Sequence, residues 1–243
     1  MNKRFVFVLA TVFVTASFCG AANLAVNSSF ETTEITSGGP PTTYGDWNGD
    51  YSSIVGATSG INPLGGSKML QFLGTSYGDG GSGVTAEVQQ IIDISSYRSL
   101  ISAGQATASA SAYFNRVAGD SQTDTLMYLV ILAYAGDPSS FPTQYANNSY
   151  LAVEESAVFT DSDPITWEQA SCQLTLPTNT DFIVIGLNAS ENVYNDTFLN
   201  EFDGHFADMA SVEIVPEPAT LLLLGLGTVM LKKRVKPKVV KKL

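Results

Sequence analysis

The sequence predicts an all-β fold, an antiparallel sandwich. Three observations carry that expectation. Between Asn23 and Ile214 the chain is rich in Gly, Ser, Thr and Asn and poor in long amphipathic helical patterns. Strand-like runs recur there between turn signals. The run Leu126 to Tyr134 is almost wholly apolar, as a central strand covered on both faces would be.

Strands are expected at Leu24 to Val26, Lys68 to Phe72, Val84 to Ile92 and Ala106 to Asn115. Four more are expected at Leu126 to Ala135, Thr166 to Leu174, Phe182 to Asn188 and Phe206 to Ile214. Ala106 to Asn115 alternates Ala with Thr and Ser and ends on aromatics, the pattern of a sheet with one packed face. A short helical turn is expected from Ser96 to Ala103, stopped by Gly104. Thr36 to Thr43 reads as a loop, and Asp137 to Tyr150 as an insertion at a sandwich edge. Many short strands joined by long Gly-rich loops favour a sandwich over a helical or α/β fold. No internal repeat and no inter-domain linker is evident.

Charge divides the chain of 243 residues into three parts. Lys3 and Arg4 stand at the start, and seven basic residues lie from Lys232 to Lys242. Between them only Lys68, Arg98 and Arg116 face 22 Asp and Glu residues, a local balance of −19. So acidic a body repels phosphate backbones, which excludes nucleic acid as a partner. It also favours cations. Cys19 falls in the leader described next, and Cys172 remains alone, so neither a disulfide framework nor a Cys-rich zinc site forms within one chain. Cys172 reads as a buried, inert thiol, with an intermolecular disulfide as the alternative.

Both ends read as addresses. Met1 to Arg4 is a charged n-region, Phe5 to Val14 an apolar h-region, and small residues follow up to Ala22. This is a signal peptide over residues 1–22, cleaved after Ala21 or Ala22 and exported through the Sec translocon. Phe18 is too bulky to precede a lipidated Cys19. At the other end Val215-Pro216-Glu217-Pro218 is followed by an apolar run from Ala219 to Leu231, then Lys232-Lys233-Arg234. The expected organisation is a body over 23–214 and a tail over 215–243, with a transmembrane helix at about 219–231 and a basic stop at 232–243. The charge bias puts the body outside and the tail inside. The run has 13 residues against the roughly 20 of an ordinary span. Snorkelling lysines and local thinning can accommodate that difference.

This Pro-Glu-Pro triplet, Leu-rich run and Lys/Arg stop resemble the PEP-CTERM sorting signal of Gram-negative bacteria. The resemblance implies recognition and cutting by an exosortase, a membrane-embedded cysteine transpeptidase-like enzyme, in bacteria that make exopolysaccharide. The implied route is anchorage in the inner membrane by the C-terminal helix, then the cell surface or extracellular matrix.

The body carries a second resemblance. Asn27-Ser28-Ser29-Phe30-Glu31 resembles the opening of galactose-binding-like jelly rolls, which include many carbohydrate-binding modules. Asp46-Trp47 fits the following Trp-bearing strand, and Gly66 to Gln71 the next. Val88-Gln89-Gln90 resembles the Val-x-Gln strand, and Phe206 to Val212 the closing strand. The resemblance implies an antiparallel jelly-roll β-sandwich. It also implies a structural Ca²⁺ joining Glu31 to Asp208, with backbone carbonyls completing an oxygen-only shell. Ser28 departs from the usual Gly, and Asp120 to Asp163 has no counterpart.

Sugar binding calls for aromatic faces beside hydroxyl-holding polar groups. Trp47 and Tyr51, in a Gly/Asp-rich stretch, are the residues selected, ahead of Tyr77, Tyr113 and Trp167; Trp167 reads as core. Catalysis finds little support. His205 is the sole histidine, there is no Gly-x-Ser-x-Gly elbow, and zinc hydrolysis needs more ligands. Acid pairs such as Glu154-Glu155 or Asp161/Asp163 arise by chance in a chain with 23 acids. The expectation is therefore a non-catalytic, exported surface or matrix protein that associates with exopolysaccharide. The alternatives are a structural or adhesive matrix protein without a small ligand, and a secreted polysaccharide-degrading enzyme.

Overall fold

The computed structural model describes residues 22–74, 85–117, 125–161, 163–191 and 204–216. The h-region of the leader and the apolar run and basic stop of the tail lie outside the described residues. Among the described residues no helix is long and apolar enough to cross a membrane.

The described residues form ten strands: β1 (Trp47–Gly49), β2 (Ser52–Val55), β3 (Met69–Phe72), β4 (Thr85–Asp93), β5 (Ala106–Arg116), β6 (Thr125–Tyr134), β7 (Ala152–Phe159), β8 (Glu168–Thr175), β9 (Phe182–Glu191) and β10 (His205–Pro216). Among the described residues there are two short α-helices, α1 (Arg98–Ser102) and α2 (Phe141–Ala146). The front sheet runs β1-β4-β9-β6-β7 and the back sheet β2-β3-β10-β5-β8. Every strand pair is antiparallel.

The pairing identifies the topology. β3 pairs with β10, β4 with β9, β5 with β8 and β6 with β7. These are the nested rungs of one long hairpin. Rolling that hairpin up brings β10 beside β5 and β9 beside β6. This is the double-sheet jelly roll, with β1 and β2 added as outer edges.

Period-2 alternation makes the core. In β5 the inward positions are Ala106, Ala108, Ala110, Ala112 and Phe114, all buried. Facing them from the front sheet are Met127, Leu129 and Ile131 of β6 and Ile183, Ile185 and Leu187 of β9. Small residues on one sheet against branched ones on the other let the layers close.

Three expectations need correction. Leu24 to Val26 is not a strand: Leu24 N–H does bond to Val212 O, at 2.7 Å, but the Asn23 side chain occupies the neighbouring positions on Ala210 and Val212. Positive φ at Asn27 and Phe30 then turns the chain away. Ala152–Phe159 is a full strand at the front-sheet edge, unread because its two consecutive glutamates and mixed burial hide any alternation. The segment Asp137 to Tyr150 holds a helix. Asp137 caps a preceding 3-10 turn, Pro138–Ser140, through Ser139 N–H; that turn leads into α2, and Gln144 ties the helix to Ala135 O.

Candidate functional site

The outer face of the front sheet is divided in two. On one half, α2 lays Phe141 edge-on against Tyr134, which stacks on Phe182 with centroids 5.3 Å apart. With Ile91, Leu132 and Val184 these rings form a closed apolar layer. The helix ends there, and the other half stays open as a trough. It is a cavity of about 410 Å³ lined by β4, β9, β6, β7 and Tyr145 of α2. A second compartment of about 240 Å³ continues it toward Gly39, Pro40, Gly49 and Asp50. Glu87 and Tyr145 line both.

Gly186 of β9 lies beneath the Glu87 carboxyl that lines this trough. A Cβ there would stand 2.6 Å from Val130 Cγ1 and 2.8 Å from Glu87 Oε1. The missing side chain lets Glu87 fold across β9, where its carboxylate accepts the Tyr145 phenol. Burial holds the Glu87 carboxyl above the usual carboxylate range, against the lowering hydrogen bonds from Tyr145 and neighbouring amides. The Tyr145 phenol is pushed up by burial and by the Glu87 charge. Asp50 is fixed by reciprocal bonds with Glu87: its N–H reaches Glu87 O at 2.8 Å, and its carboxylate takes Glu87 N–H at 2.9 Å. Tyr128 and Asn188 complete the open half. The arrangement offers phenol rings, amides and carboxylates in a shallow, elongated depression. That is the equipment for holding a hydroxyl-rich chain.

Of the sequence-selected aromatics, Trp47 is a core residue. It is fully buried, packs on Phe30 at 5.2 Å and donates its indole N–H to Val26 O. It presents no face to a ligand, which corrects its selection as a sugar-stacking residue. Tyr51 is 48% exposed, but the trough passes through its neighbour Asp50 and not through it. Trp167 is half-buried, with its indole N–H on Asn62 O. Tyr77 lies outside the described residues.

Glu31 and Asp208 converge on one loop. Asp208 is fully buried beside a bulge in β10, where the register shifts before Ser211 and Met209 takes a positive φ. Its carboxylate accepts Leu64 and Gly65 N–H at 2.8 and 3.0 Å. Glu31 accepts Ser67 and Lys68 N–H at 2.8 and 2.9 Å. Burial pushes the Asp208 carboxyl up to about 6, and the nearby Glu31 charge adds to that. Backbone and side-chain bonds from Ser67 hold Glu31 below its ordinary value. A pair of carboxylates whose charges oppose one another suits a hard cation. Among the described residues, however, no group of three or more His, Cys, Asp or Glu side chains is placed to hold a metal ion. Carbonyls would have to supply the remaining ligands.

The acid pairs are placed apart from any such site. Glu154 and Glu155 are consecutive on β7, so their side chains point to opposite faces. Asp161 and Asp163 organise their own turn, accepting Asp163 N–H and Ile165 N–H respectively. His205 is buried at the start of β10, opposite Arg116 and Phe72. Cys172 is buried and free, its thiol pushed up to about 11 by burial.

The trough residues Glu87, Tyr128, Tyr145 and Asn188 were not singled out from sequence. One signal was present. Thr85, Glu87 and Gln89 alternate with Ala86 and Val88, which marks a polar outer face on β4. Nothing local shows that α2 leaves half of that face open.

The chain is similar at low identity to several solved structures. TmCBM61 in complex with β-1,4-galactotriose is 13% identical, with 81% of this chain and 100% of that chain covered and a TM-score of 0.44. The CBM22-1 xylan-binding domain from Paenibacillus barcinonensis Xyn10C is 12% identical, with 81% and 96% covered and a TM-score of 0.46. Family 16 Carbohydrate Binding Module-2 is 17% identical, with 79% and 99% covered and a TM-score of 0.43. A search of curated protein sequences found no match. Pro216 closes β10, while Glu217, Pro218, Lys232, Lys233 and Arg234 lie outside the described residues. Residues 215–234 match the family model of the PEP-CTERM protein-sorting motif, so this chain carries a protein-sorting motif that begins within its last strand.

Proposed function

We propose that the chain is an exported surface or matrix protein that holds a glycan in the front-sheet trough. The tail would be read by an exosortase-type enzyme after passage through the Sec translocon and anchorage in the inner membrane. The body would then associate with exopolysaccharide. The observation that supports this most is the open half of the front sheet. There Tyr128 and Tyr145 stand beside Asn188 and Glu87 in one open depression. The role proposed is binding; the buried His205 and the divergence of Glu154 from Glu155 support that reading.

The test is binding of native matrix polysaccharide by the wild-type chain and by Tyr128→Ala. Loss of a stacking ring should weaken binding by about tenfold, with the thermal midpoint unchanged because Tyr128 is only half-buried. Equal binding by both would remove the trough from the mechanism. Absence of binding by either would leave the structural or adhesive reading.

We also propose that Ca²⁺ takes Glu31 and Asp208 with main-chain carbonyls, fastening the first segment to the last strand. Added Ca²⁺ should raise the thermal midpoint of the wild type, and Asp208→Asn should abolish the increment. An identical response in the variant would move calcium elsewhere.

A further inference from the structure

The sorting motif begins inside the folded body. The family match starts at Val215, and β10 runs to Pro216. Val215 is paired with Thr107 of β5, and Pro216 with Ala106. The first two residues of the motif are therefore the last two rungs of the sheet. β5 is held from its other side by β8, and Leu176 N–H bonds to Ala106 O at 2.9 Å, so β5 cannot follow a departing β10.

Chain reach gives this pairing a consequence. Ala219, where the apolar run starts, is three Cα steps beyond Pro216. Three steps span at most about 11 Å in any conformation. The headgroup layer on one side of a bilayer is itself about 5–8 Å thick. With the apolar run in the membrane, only Glu217 and Pro218 separate the sheet from it. A cleft that closes around an extended peptide needs the space beside Val215 and Pro216, and β5 fills that space at the roughly 4.8 Å spacing of a sheet.

The burial pattern sets how far the strand opens. Val215 is 39% exposed and Pro216 is also exposed. Pro216 has no N–H to give the ladder. Among the described residues the pairing of β3 with β10 ends at Ala207, so these two rungs are held from the β5 side. Ile214, by contrast, is 1% exposed. Val212 is fully buried, and its carbonyl and N–H are tied to Leu24 N–H and the Asn23 side chain. Two rungs lift without uncovering core, whereas a third would expose Ile214.

Resting on the reading of the tail as membrane-anchored and recognised by an exosortase-type enzyme, we propose that the folded body restrains its own sorting. The enzyme takes the motif only after Val215 and Pro216 have left Thr107 and Ala106, and Ile214 is the point where opening stops. Fraying of the strand end admits the enzyme in proportion to the fraction open. The rate of processing is thus a property of β10 as well as of the tail.

Pulse-chase of the full chain in an exosortase-bearing bacterium tests this. In Thr107→Cys/Val215→Cys the two thiols stand directly opposite on paired strands, a separation that a disulfide can bridge. Oxidised, this variant should be processed at least about tenfold more slowly than wild type, and a mild reductant should return it to within about twofold. Comparing one variant in two redox states removes any effect of the substitutions themselves. A Gly/Ser spacer inserted between Ile214 and Val215 puts the whole motif beyond the sheet and should speed processing about threefold or more. Equal rates for the oxidised and reduced variant overturn the inference. So does a spacer that leaves the rate unchanged or lowers it. Either result leaves the sorting reading standing. A wild-type chain that is never processed overturns both.

Discussion

Glu87 shows how one residue comes to matter through its surroundings. Its folded carboxyl titrates above the ordinary value of 4.5 because burial disfavours the charge. The native state therefore holds a proton that the unfolded chain has released. Stability from this group is fully present below the unfolded value and is lost as pH rises through the folded one. Gln in its place keeps the acceptor for the Tyr145 phenol and removes the titration. Urea midpoints of wild type and Glu87→Gln, compared from about pH 4 to about pH 7, should diverge in favour of the variant as pH rises. Parallel pH profiles would show that the carboxyl is solvated and that the trough is less enclosed than its geometry indicates. Trp47 makes the converse point. A Gly/Asp-rich neighbourhood suggests exposure, yet β1 pairs Trp47 with Gln90 and seats the ring under Phe30.

At the scale of elements, β1 and α2 define the trough from opposite sides. β1 approaches β4 so closely that Gly49 has no room for a side chain. A Cβ there would stand 2.1 Å from Glu87 O and 2.9 Å from Val88 Cα, both backbone atoms that cannot swing aside. Gly49→Ala should therefore push β1 off the sheet at a cost of about 1–3 kcal/mol, read as a lower urea midpoint. It should also release Asp50 and weaken glycan binding at that end. An unchanged midpoint would mean that β1 is not seated as described. The helix works differently. Its aromatic contacts with Tyr134 close half the face, and its last turn places Tyr145 at the boundary. A six-residue helix has little stability of its own, so this packing is what holds it.

On the scale of the whole molecule, the two ends of the body meet. Asn23 and Leu24, at the start of the described body, bond to Ala210 and Val212 of β10. Pro216, the first proline of the sorting motif, is still paired with Ala106 of β5. The folded body thus begins and ends beside one another, with no spacer before the tail. Removing residues 217–243 should leave export and folding intact and change where the protein resides. Fractionation should find the truncated chain released from the cell instead of retained at the surface. If it reaches the same place as the full chain, the tail is not the address.

Sequence alone was enough for the sheet class, seven of the strands and the sorting motif of the tail. Each of these is written in short-range periodicity or in a contiguous run: Ala106 to Phe114 alternates, Leu126 to Tyr134 is apolar, and Pro216 to Arg234 is one uninterrupted motif. Edge strand β7 escaped because its outer face meets water and needs no pattern. The trough escaped for a deeper reason. Glu87, Tyr128, Tyr145 and Asn188 come from four elements spread along the chain, and each is unremarkable in its own segment. Only the rolling of the hairpin sets β4, β9 and β6 side by side. Only the shortness of α2 decides that half their common face is covered and half is open. Local sequence specifies which side a residue faces, because side chains alternate along a strand. What lies over that side is a long-range contact, and it exists only once the sheets have closed.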